Sequence, residues 1–524
     1  MMILNVLLLC ITYSYTCGLS IAMTVPAASR TPSLSEEVNV KLISEGSLRD
    51  MQISSTMASK PGSTPGFFNP KRRIGRDFVV LSVANWLASE AERRHILMLQ
   101  SELSGGGEEK KNESMQGSSG ASRNTSRNSN TSSNSMLRPA RLLDATCATG
   151  IQGLRNAVES PILARSMLSH MNFDVDKSPI EPPELHVVLN DSDENAAELA
   201  QKNVDSVQHS HGFQQEGSGS TDKGTHIHLD VTQRVGQSIL HEETFEVSVL
   251  DPFGSVQPFL DAALARSPKG GLIEVCATDV QVLYGTRPSI AARHYHARIS
   301  KKRPPCYRER GVRLLLAAIA QAAGRYDRGI VPVYGISTEH FCLVSVKVLR
   351  GAKAADATAK QVRPVRICRT CGASSIENHG DGDVSGDSIA EAAPNCGCDP
   401  IDGSGVAAQG EGPLWIGPLH DAESVKRMAK IASLEEAEGF ISKETRTFLK
   451  QFEKEASIDS MFHRRPGVAA KGKIPKLTKV LEELQHRGFM ASRTHFCSKS
   501  LKTNASATEF DHVVRAILFQ EEQN

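Results

Sequence analysis

Short apolar runs alternate with amphipathic helical stretches in the middle of the chain, and this alternation predicts its fold. The runs span residues 141–143, 185–189, 227–229, 245–250 and 271–275. Each run is continuous and is bounded by small or polar residues, as expected of strands that are covered on both faces. Strands that alternate with helices form a mostly parallel sheet, so the pattern predicts an α/β fold.

The last part of this sheet is predicted to be antiparallel. A helical pattern over residues 312–326 precedes two strand candidates, residues 329–333 and 341–349, and the short connection between them indicates a hairpin. The pattern then changes to a cysteine-bearing segment, a helical stretch over residues 422–456, and short strand-like pieces after residues 476–484. We expect a second, smaller α+β domain there.

Three segments are predicted, because 524 residues exceed what one hydrophobic core usually serves. They are an N-terminal targeting or disordered segment (1–57), a sheet domain (58–352) and a C-terminal domain (353–524). Within the sheet domain, residues 101–136 are rich in Ser, Asn, Gly and Glu and nearly free of apolar side chains. Such a segment cannot offset its ordering entropy, so it is predicted to be a disordered insertion.

The N-terminus begins with an apolar stretch, since residues 2–23 carry no charge. The stretch resembles the core of a signal peptide and is short for a membrane span, which favours a cleaved targeting sequence. The alternative is an incorrectly assigned start, with Met23, Met51 or Met57 as the first residue. We expect a chain that begins at Met51 to keep its activity.

Charge excludes a general attraction to nucleic acid, because 60 Lys and Arg side chains nearly cancel 59 Asp and Glu side chains. Any RNA contact must use local patches. Two basic runs are expected at the surface, Lys301-Lys302-Arg303 and His463-Arg464-Arg465. Neither run by itself indicates a phosphate contact.

Four of the eleven cysteines are concentrated in one segment, which fits a reducing, intracellular compartment better than a disulfide framework. They are Cys368, Cys371, Cys396 and Cys398. A Cys-x-x-Cys pair and a second close pair can supply four thiolates to one structural zinc ion. The alternative is a set of unpaired thiols. The pair of histidines at His226 and His228 indicates a surface or packed pair rather than a metal site.

Small residues follow the first predicted strand in the run Asp144-Ala145-Thr146-Cys147-Ala148-Thr149-Gly150. Small side chains let the backbone approach a ligand, and the next helix presents free N–H groups, as in nucleotide-binding loops. Asp191 and Asp230 end the next two predicted strands, where one acid can bind ribose hydroxyls and the other an adenine amine. The alternative for each acid is a helix N-cap.

The run Leu250-Asp251-Pro252-Phe253-Gly254 after the fourth strand is suited to binding a flat amine. Asp251 supplies a hydrogen-bond acceptor, and Pro252, with its fixed φ, helps to aim its own carbonyl as a second acceptor. Phe253 offers a face on which a base can stack. The alternative is an ordinary Asp-Pro turn.

These residues belong to a longer series of ordered motifs, and with them the chain resembles the tRNA (guanine-26-N2)-dimethyltransferase family from about Phe67 to the C-terminus. The motifs are Phe67-Phe68-Asn69-Pro70, Arg76-Asp77, Leu143-Asp144-Ala145, Ala148-Thr149-Gly150, Leu154-Arg155, Asn190-Asp191, Asn203-Val204, Leu250-Asp251-Pro252-Phe253-Gly254, Ala277-Thr278-Asp279, Leu283 with Gly285, Gly412-Pro413-Leu414-Trp415-Ile416-Gly417-Pro418-Leu419-His420, Arg493-Thr494-His495-Phe496 and Leu501-Lys502-Thr503-Asn504-Ala505.

The resemblance implies a class I methyltransferase domain that uses S-adenosylmethionine, followed by a tRNA-binding C-terminal domain. Asp251, Pro252 and Phe253 are the implied catalytic residues. The residues implied to bind the cofactor are Arg76, Asp144, Thr149, Gly150, Asp191 and Asp230. The implied product is N2-methylguanosine and then N2,N2-dimethylguanosine in tRNA. The family also implies a nuclear monomer without stable membrane association, although the apolar N-terminus allows a mitochondrion or plastid.

Four positions depart from the family pattern. Gly75 stands where the family has Asn, and Glu339, Phe341 and Leu343 stand where it has Asp, Tyr and Arg. These changes leave the Asp-Pro-Phe motif intact, so they affect the expected substrate detail more than the expected activity.

Two other functions are weighed against this one. An enzyme acting on another amine, such as adenine N6 in DNA or a protein glutamine, would share the Asp-Pro-Phe motif but not the flanking motifs. A tRNA-binding folding factor without catalysis would predict a damaged cofactor loop or a changed Asp251, and both are intact.

Overall fold

The computed structural model of the chain describes residues 40–54, 68–105, 138–171, 180–210, 228–376, 396, 398, 408–466 and 474–523. Its strands are β1 (Val40–Glu45), β2 (Leu48–Ser54), β3 (Ala140–Asp144), β4 (Leu185–Asn190), β5 (His228–Thr232), β6 (Val247–Leu250), β7 (Leu272–Ala277), β8 (Arg328–Ser337), β9 (Cys342–Arg350), β10 (Val362–Cys368), β11 (Ser374–Ile376), β12 (Ala408–Trp415), β13 (Ala491–Arg493) and β14 (Leu501–Thr503).

Helices occupy most of the intervening described segments. They are α1 (Arg73–Gly105), α2 (Ile151–Ser169), α3 (Glu194–Ser210), α4 (Gly236–Glu242), α5 (Gln257–Arg266), α6 (Val280–Leu283), α7 (Pro288–Tyr295), α8 (Tyr307–Gly324), α9 (Ala352–Ala359), α10 (Ala422–Ala432), α11 (Lys443–Ala456), α12 (Leu477–His486) and α13 (Ala507–Gln523). Two 3₁₀ turns, Pro70–Arg72 and Glu435–Ala437, precede α1 and α11.

One seven-stranded mixed sheet organises the fold, with strand order β5-β4-β3-β6-β7-β9-β8. The strands from β3 to β7 pair in parallel, and β9 runs antiparallel to both β7 and β8. The predicted α/β sheet with a terminal hairpin is therefore confirmed. The prediction succeeded because parallel strands covered on both faces read as continuous apolar runs, such as the fully buried β6 and β7. Their carboxyl ends lie at one edge of the sheet, which is where the candidate site forms.

The prediction of a targeting or disordered segment over residues 1–57 is wrong for residues 40–54, which form the antiparallel β1–β2 hairpin. Leu48 and Met51 of this hairpin are buried in the main hydrophobic cluster. A chain that starts at Met51 would lack β1 and Leu48 of this hairpin, and the expectation that it keeps its activity stays a prediction. Residues 1–39, with the apolar stretch, lie outside the described residues.

The predicted insertion over residues 101–136 is described only over residues 101–105, where α1 ends. The rest of that segment and His226 lie outside the described residues. Among the helices that are described, none is long and apolar enough to cross a membrane.

The last third of the chain is α+β, as predicted, but part of its core is shared with the sheet. Met428 and Phe452 pack in the same cluster as Phe78 of α1, and Trp415 packs in the same cluster as Val312 of α8. A separate small cluster is formed by helices α12 and α13 with strands β13 and β14. The division at residue 352 stays a prediction.

Candidate active site

Asp144 supports the loop between β3 and α2 from its buried side. This residue is buried, and its Oδ2 accepts a hydrogen bond from the Gly153 amide at 3.1 Å. Burial, with the neighbouring Asp251 and Asp191 carboxylates, raises the pKa of Asp144 to about 8. Asp144 thus supports the loop rather than facing its surface.

Two glycines are required where this loop becomes helix α2. Gly150 has a φ of +75°, a conformation that side chains with a Cβ rarely adopt. A Cβ at Gly153 would overlap the Leu189 side chain of β4. The buried Thr149 directly precedes Gly150, and its carbonyl accepts a hydrogen bond from Asn203 at 2.9 Å. The small residues therefore let α2 begin close against the sheet.

Asp191 follows β4 and faces the same loop. Its Oδ2 accepts a hydrogen bond from the Ala148 amide at 2.9 Å, and its Oδ1 accepts one from the Asp193 amide at 3.0 Å. The neighbouring Asn190 side chain donates to the Ala145 carbonyl at 3.0 Å. The structure thus brings Asp191 together with the loop that Asp144 supports.

Asp230 is not where the sequence predicted it, because β5 continues two residues further to Thr232. Asp230 lies opposite Val188 inside the strand, and its carboxylate binds His186 Nε2 at 2.7 Å. Its side chain is 61% exposed. Polar and apolar residues alternate along this edge strand, so its end is not marked by a change in pattern. Thr232 occupies the strand end instead, and its hydroxyl donates to the side-chain oxygen of Asn190 at 2.9 Å.

The predicted catalytic loop follows β6. Pro252 is buried, whereas Phe253 is 47% exposed. Gly254 closes the turn with a φ of +87°, and its amide donates to the Thr278 hydroxyl at 2.7 Å. This bond ties the loop to the segment after β7.

The two oxygens of Asp251 have different partners. Oδ2 lies 2.6 Å from Arg72 Nη2. Oδ1 is buried and accepts no hydrogen bond from the described residues. A buried carboxylate oxygen without a donor is costly and marks a position where a ligand donor can bind.

A small cavity of about 20 Å³ lies beside this carboxylate. It is lined by residues from α1, α2 and three strand ends, among them Gln152, Glu274, Cys276 and Leu343. The buried side-chain nitrogen of Gln152 has no hydrogen-bond partner among the described residues. Burial raises the pKa of Glu274 to about 7. The cavity therefore presents an unused acceptor and an unused donor to a polar ligand.

Arg76 lines the same cavity, but its guanidinium is already bound. Its Nε and Nη2 contact the Glu45 carboxylate at 2.6 and 2.5 Å, and its Cζ lies 4.5 Å from the centre of the Phe68 ring. Glu45 was not predicted as a site residue, because it lies in the segment predicted to be a targeting or disordered segment.

Asp279 and Tyr295 extend the site beyond Thr278. The Tyr295 hydroxyl donates to the Asp279 carboxylate, with oxygen–oxygen distances of 2.9 and 3.0 Å. Burial raises the pKa of Asp279 above its ordinary value. Asp279 belongs to one of the family motifs, but residue chemistry alone did not single it out.

The four predicted metal ligands lie together. The Sγ atoms of Cys368, Cys371, Cys396 and Cys398 all lie within 4.8 Å of one another. Tetrahedral coordination with Zn–S distances of about 2.3 Å requires sulfur atoms about 3.8 Å apart. The cluster can therefore hold a metal ion after small adjustments.

The two basic runs differ in exposure. Lys301, Lys302 and Arg303 are exposed, as predicted. The prediction of a surface position is wrong for His463 and Arg464, which are buried. His463 binds the Glu309 carboxylate at 2.8 Å, and the Arg464 guanidinium lies over the Phe510 ring.

Comparisons with known proteins relate this architecture to one family. The sequence profile of "N2,N2-dimethylguanosine tRNA methyltransferase" matches residues 177–515. A tRNA (guanine(27)-N(2))-dimethyltransferase of Rattus norvegicus is 29% identical over 447 residues, which cover 72% of this chain and 57% of the relative. A tRNA (guanine(26)-N(2))-dimethyltransferase of Pyrococcus horikoshii is 29% identical over 389 residues, which cover 73% of this chain and 88% of the relative. The chain thus spans little more than half the length of its rat relative.

Among solved structures, Trm1 from Pyrococcus horikoshii in complex with S-adenosyl-L-methionine matches with a TM-score of 0.60 and 25% identity. The match covers 90% of this chain and 99% of that structure. Since the family profile covers well over half of the sequence, the chain belongs to the N2,N2-dimethylguanosine tRNA methyltransferase family.

Proposed function

We propose that the chain transfers methyl groups from S-adenosylmethionine to N2 of a tRNA guanine, giving N2-methylguanosine and then N2,N2-dimethylguanosine. The observation that carries this proposal is the buried Asp251 Oδ1, which accepts no hydrogen bond from the described residues, in the same loop as the half-exposed Phe253. An acceptor next to an aromatic face suits a base that bears an exocyclic amine.

Positioning the amine is the main catalytic task. The lone pair of guanine N2 is delocalised into the ring, so the amine attacks well only when it is held in line with the methyl group. Asp251 Oδ1 and the Pro252 carbonyl accept its two N–H groups in this proposal. The nitrogen gains positive charge as the methyl group is transferred. The Asp251 carboxylate stabilises that charge and accepts the N–H proton that the amine must lose to become neutral again. The base must leave the tRNA stack to reach Asp251, and Phe253 gives it a stacking surface.

The loop and the cavity wall offer polar groups to the methyl donor. S-Adenosylmethionine supplies an electrophilic methyl group when bound. The unpartnered Gln152 nitrogen and the buried Thr146 hydroxyl, which also has no partner among the described residues, can bind polar groups of such a ligand. Thr149 and Gly150 bring backbone close to it, and Asp191 can accept ribose hydroxyls. Arg76 contributes to the cavity wall.

Asp191→Ala is expected to weaken S-adenosylmethionine binding, because the ribose loses a charge-assisted acceptor worth about 1.5–3 kcal/mol. Titration calorimetry measures the dissociation constant directly. Asp193→Ala is the matched control, since Asp193 caps α3 through the Ala196 amide at 3.0 Å. Unchanged cofactor affinity in Asp191→Ala would remove this residue from the proposed site.

A basic segment next to the Phe253 loop supports tRNA as the substrate. Residues 287–303 contain six Lys or Arg residues and two His residues but no acid, and all eight are exposed. The segment is joined to the loop through Tyr295, Asp279 and Thr278, because Tyr295 binds Asp279 and Thr278 binds Gly254. Phosphate groups bound here would hold the tRNA close to Asp251.

The four clustered cysteines are proposed to hold one structural zinc ion, since four thiolates leave no position for water or substrate. Elemental analysis of protein purified without chelator should find about one zinc per chain. Cys371→Ser should lose the zinc and lower the melting temperature. Cys497→Ser serves as the control, because Cys497 lies outside the cluster. Wild-type protein without zinc would contradict the assignment.

Guanine 26 is the proposed target position, because the chain spans 88% of the archaeal relative named for guanine 26 and 57% of the rat relative named for guanine 27. The C-terminal segment over residues 353–524 is proposed to assist in binding tRNA. A monomeric state and a nuclear location stay predictions from the family resemblance.

Incubation of the full chain with labelled S-adenosylmethionine and an unmodified tRNA transcript tests the proposal. Mass spectrometry of the nucleosides should find labelled N2-methylguanosine and N2,N2-dimethylguanosine. Label in another nucleoside would assign a different base. A DNA duplex offered in parallel should remain unlabelled.

A further inference from the structure

Arg72 places a permanent positive charge at the candidate site. It ends the 3₁₀ turn before α1, and its Nη2 lies 2.6 Å from Asp251 Oδ2 and 2.7 Å from Cys276 Sγ. Burial opposes its charge, but the Asp251 carboxylate raises the pKa of Arg72 above its ordinary value. The guanidinium therefore remains charged while it contacts one oxygen of Asp251.

This contact distinguishes the two oxygens of Asp251. A carboxylate can exchange its oxygens by rotation, and a short charge-assisted hydrogen bond to one oxygen restrains that rotation. With Oδ2 bound to Arg72, Oδ1 stays buried beside the cavity without a donor from the described residues. Arg72 thus determines which oxygen is available to a ligand.

Leu343, on the neighbouring strand, lies close to the Cys276 thiol that Arg72 contacts. Leu343 of β9 pairs directly with Cys276 of β7, and it lines the same cavity as Arg72. Directly opposed residues of antiparallel strands have Cβ atoms about 4.5–5.5 Å apart. A long cationic side chain at position 343 could therefore reach the Cys276 thiol that Arg72 contacts.

Two other departures from the family pattern, Phe341 and Gly75, lie next to Arg72 and Leu343. The Arg72 Cζ lies 5.5 Å from the centre of the Phe341 ring, where the family has Tyr. A Cβ at Gly75, where the family has Asn, would lie 3.3 Å from Phe341 Cζ and 3.8 Å from Leu343 Cδ2. The three departures are therefore neighbours, and together they leave an apolar surface beside the Arg72 side chain.

We infer that Arg72 is the positioning residue for Asp251 in this chain, and that an arginine introduced at position 343 could take over its role. The inference rests on the proposed function, because it assigns Oδ1 to the guanine amine. Arg72 neither touches the reacting atoms nor exchanges a proton. It orients the acceptor and neutralises the charge on the opposite oxygen.

Single-turnover methylation of saturating tRNA tests the inference. Arg72→Met keeps a long side chain but removes the charge and the donors, so the rate should fall on the order of 10²-fold. The dissociation constant for tRNA should change little. Adding Leu343→Arg to Arg72→Met should restore the rate at least about 10-fold, by analogy with other charge-assisted contacts. A merely structural role for Arg72 would not produce this rescue.

Arg325→Met is the matched control, because Arg325 pairs with Asp261 on the surface and should be replaceable without loss of rate. A wild-type rate in Arg72→Met, or a folded double variant no faster than Arg72→Met, overturns the inference and leaves the proposed function intact. A wild-type chain that methylates no guanine overturns both. If circular dichroism shows that Arg72→Met does not fold, Arg72→Gln, which removes the charge but keeps a polar side chain, takes its place with the same two expectations.

Discussion

Asp251→Asn should lower the single-turnover rate of methyl transfer on the order of 10²-fold or more, the loss typical of removing one preorganised electrostatic group. The substitution keeps the shape of the side chain but removes its charge. It also introduces a donor that can face the substrate's own N–H. Because most tRNA contacts lie elsewhere in the proposed complex, kcat should fall far more than the KM for tRNA or cofactor rises.

Asp261→Asn provides the matched control, since Asp261 is an exposed aspartate paired with Arg325. It should transfer methyl at the wild-type rate. Single-turnover measurements with saturating tRNA separate binding from chemistry in both variants. If Asp251→Asn reacted as fast as the wild type, Asp251 would be only a turn residue and the catalytic assignment would be wrong.

Glu45→Gln should lower the free energy of unfolding by about 3–5 kcal/mol, because it removes the carboxylate that pairs with Arg76 and one of the three carboxylates that pair with the buried Arg155. Glu45 Oε1 lies 3.0 Å from Arg155 Nη1, and its Oε2 lies 2.5 Å from Arg76 Nη2. Burial opposes the charge on Glu45, but the two arginines lower its pKa below the ordinary value of 4.5. The stabilisation from the Glu45 carboxylate is therefore fully present at a pH above its ordinary pKa of 4.5, and it is lost as the pH falls through the lowered pKa of the folded state.

Urea unfolding at neutral pH measures this loss, and Glu483→Gln is the control because its partner Arg487 is exposed. The control should change the free energy of unfolding by less than about 1 kcal/mol. A chain that starts at Met51 should be destabilised at least as much as Glu45→Gln, because it lacks Glu45 together with β1. Equal stability of Glu45→Gln and the wild type would show that the hairpin does not support the Arg76 segment.

The sequence predicted the sheet because its strands are buried on both faces and read as apolar runs. The β1–β2 hairpin was missed because it is short and its first strand mixes polar and apolar residues. Its fixed position depends on Glu45, whose arginine partners lie 31 and 110 residues away. Pairings at that distance leave no local pattern.

Site residues that directly follow a strand, such as Asp191 and Asp251, could be predicted from the sequence. Asp230 was misplaced because the edge strand has no clear end. His463 and Arg464 looked like solvated surface, but both are buried, and His463 binds Glu309, which lies 154 residues earlier in the chain. Arg72 was also missed, since its partner Asp251 lies 179 residues away.

Replacement of single guanines by inosine tests the central claim most directly, because inosine lacks only the exocyclic amine at C2. Three tRNA transcripts would carry guanine at both positions 26 and 27, inosine at 26 alone, or inosine at 27 alone. After reaction with labelled S-adenosylmethionine, our account predicts N2,N2-dimethylguanosine in the first and third transcripts and none in the second. If the transcript with inosine at position 27 were the unlabelled one, the target position would be 27 instead of 26. Equal labelling of all three transcripts would contradict methylation of the guanine amine at this site.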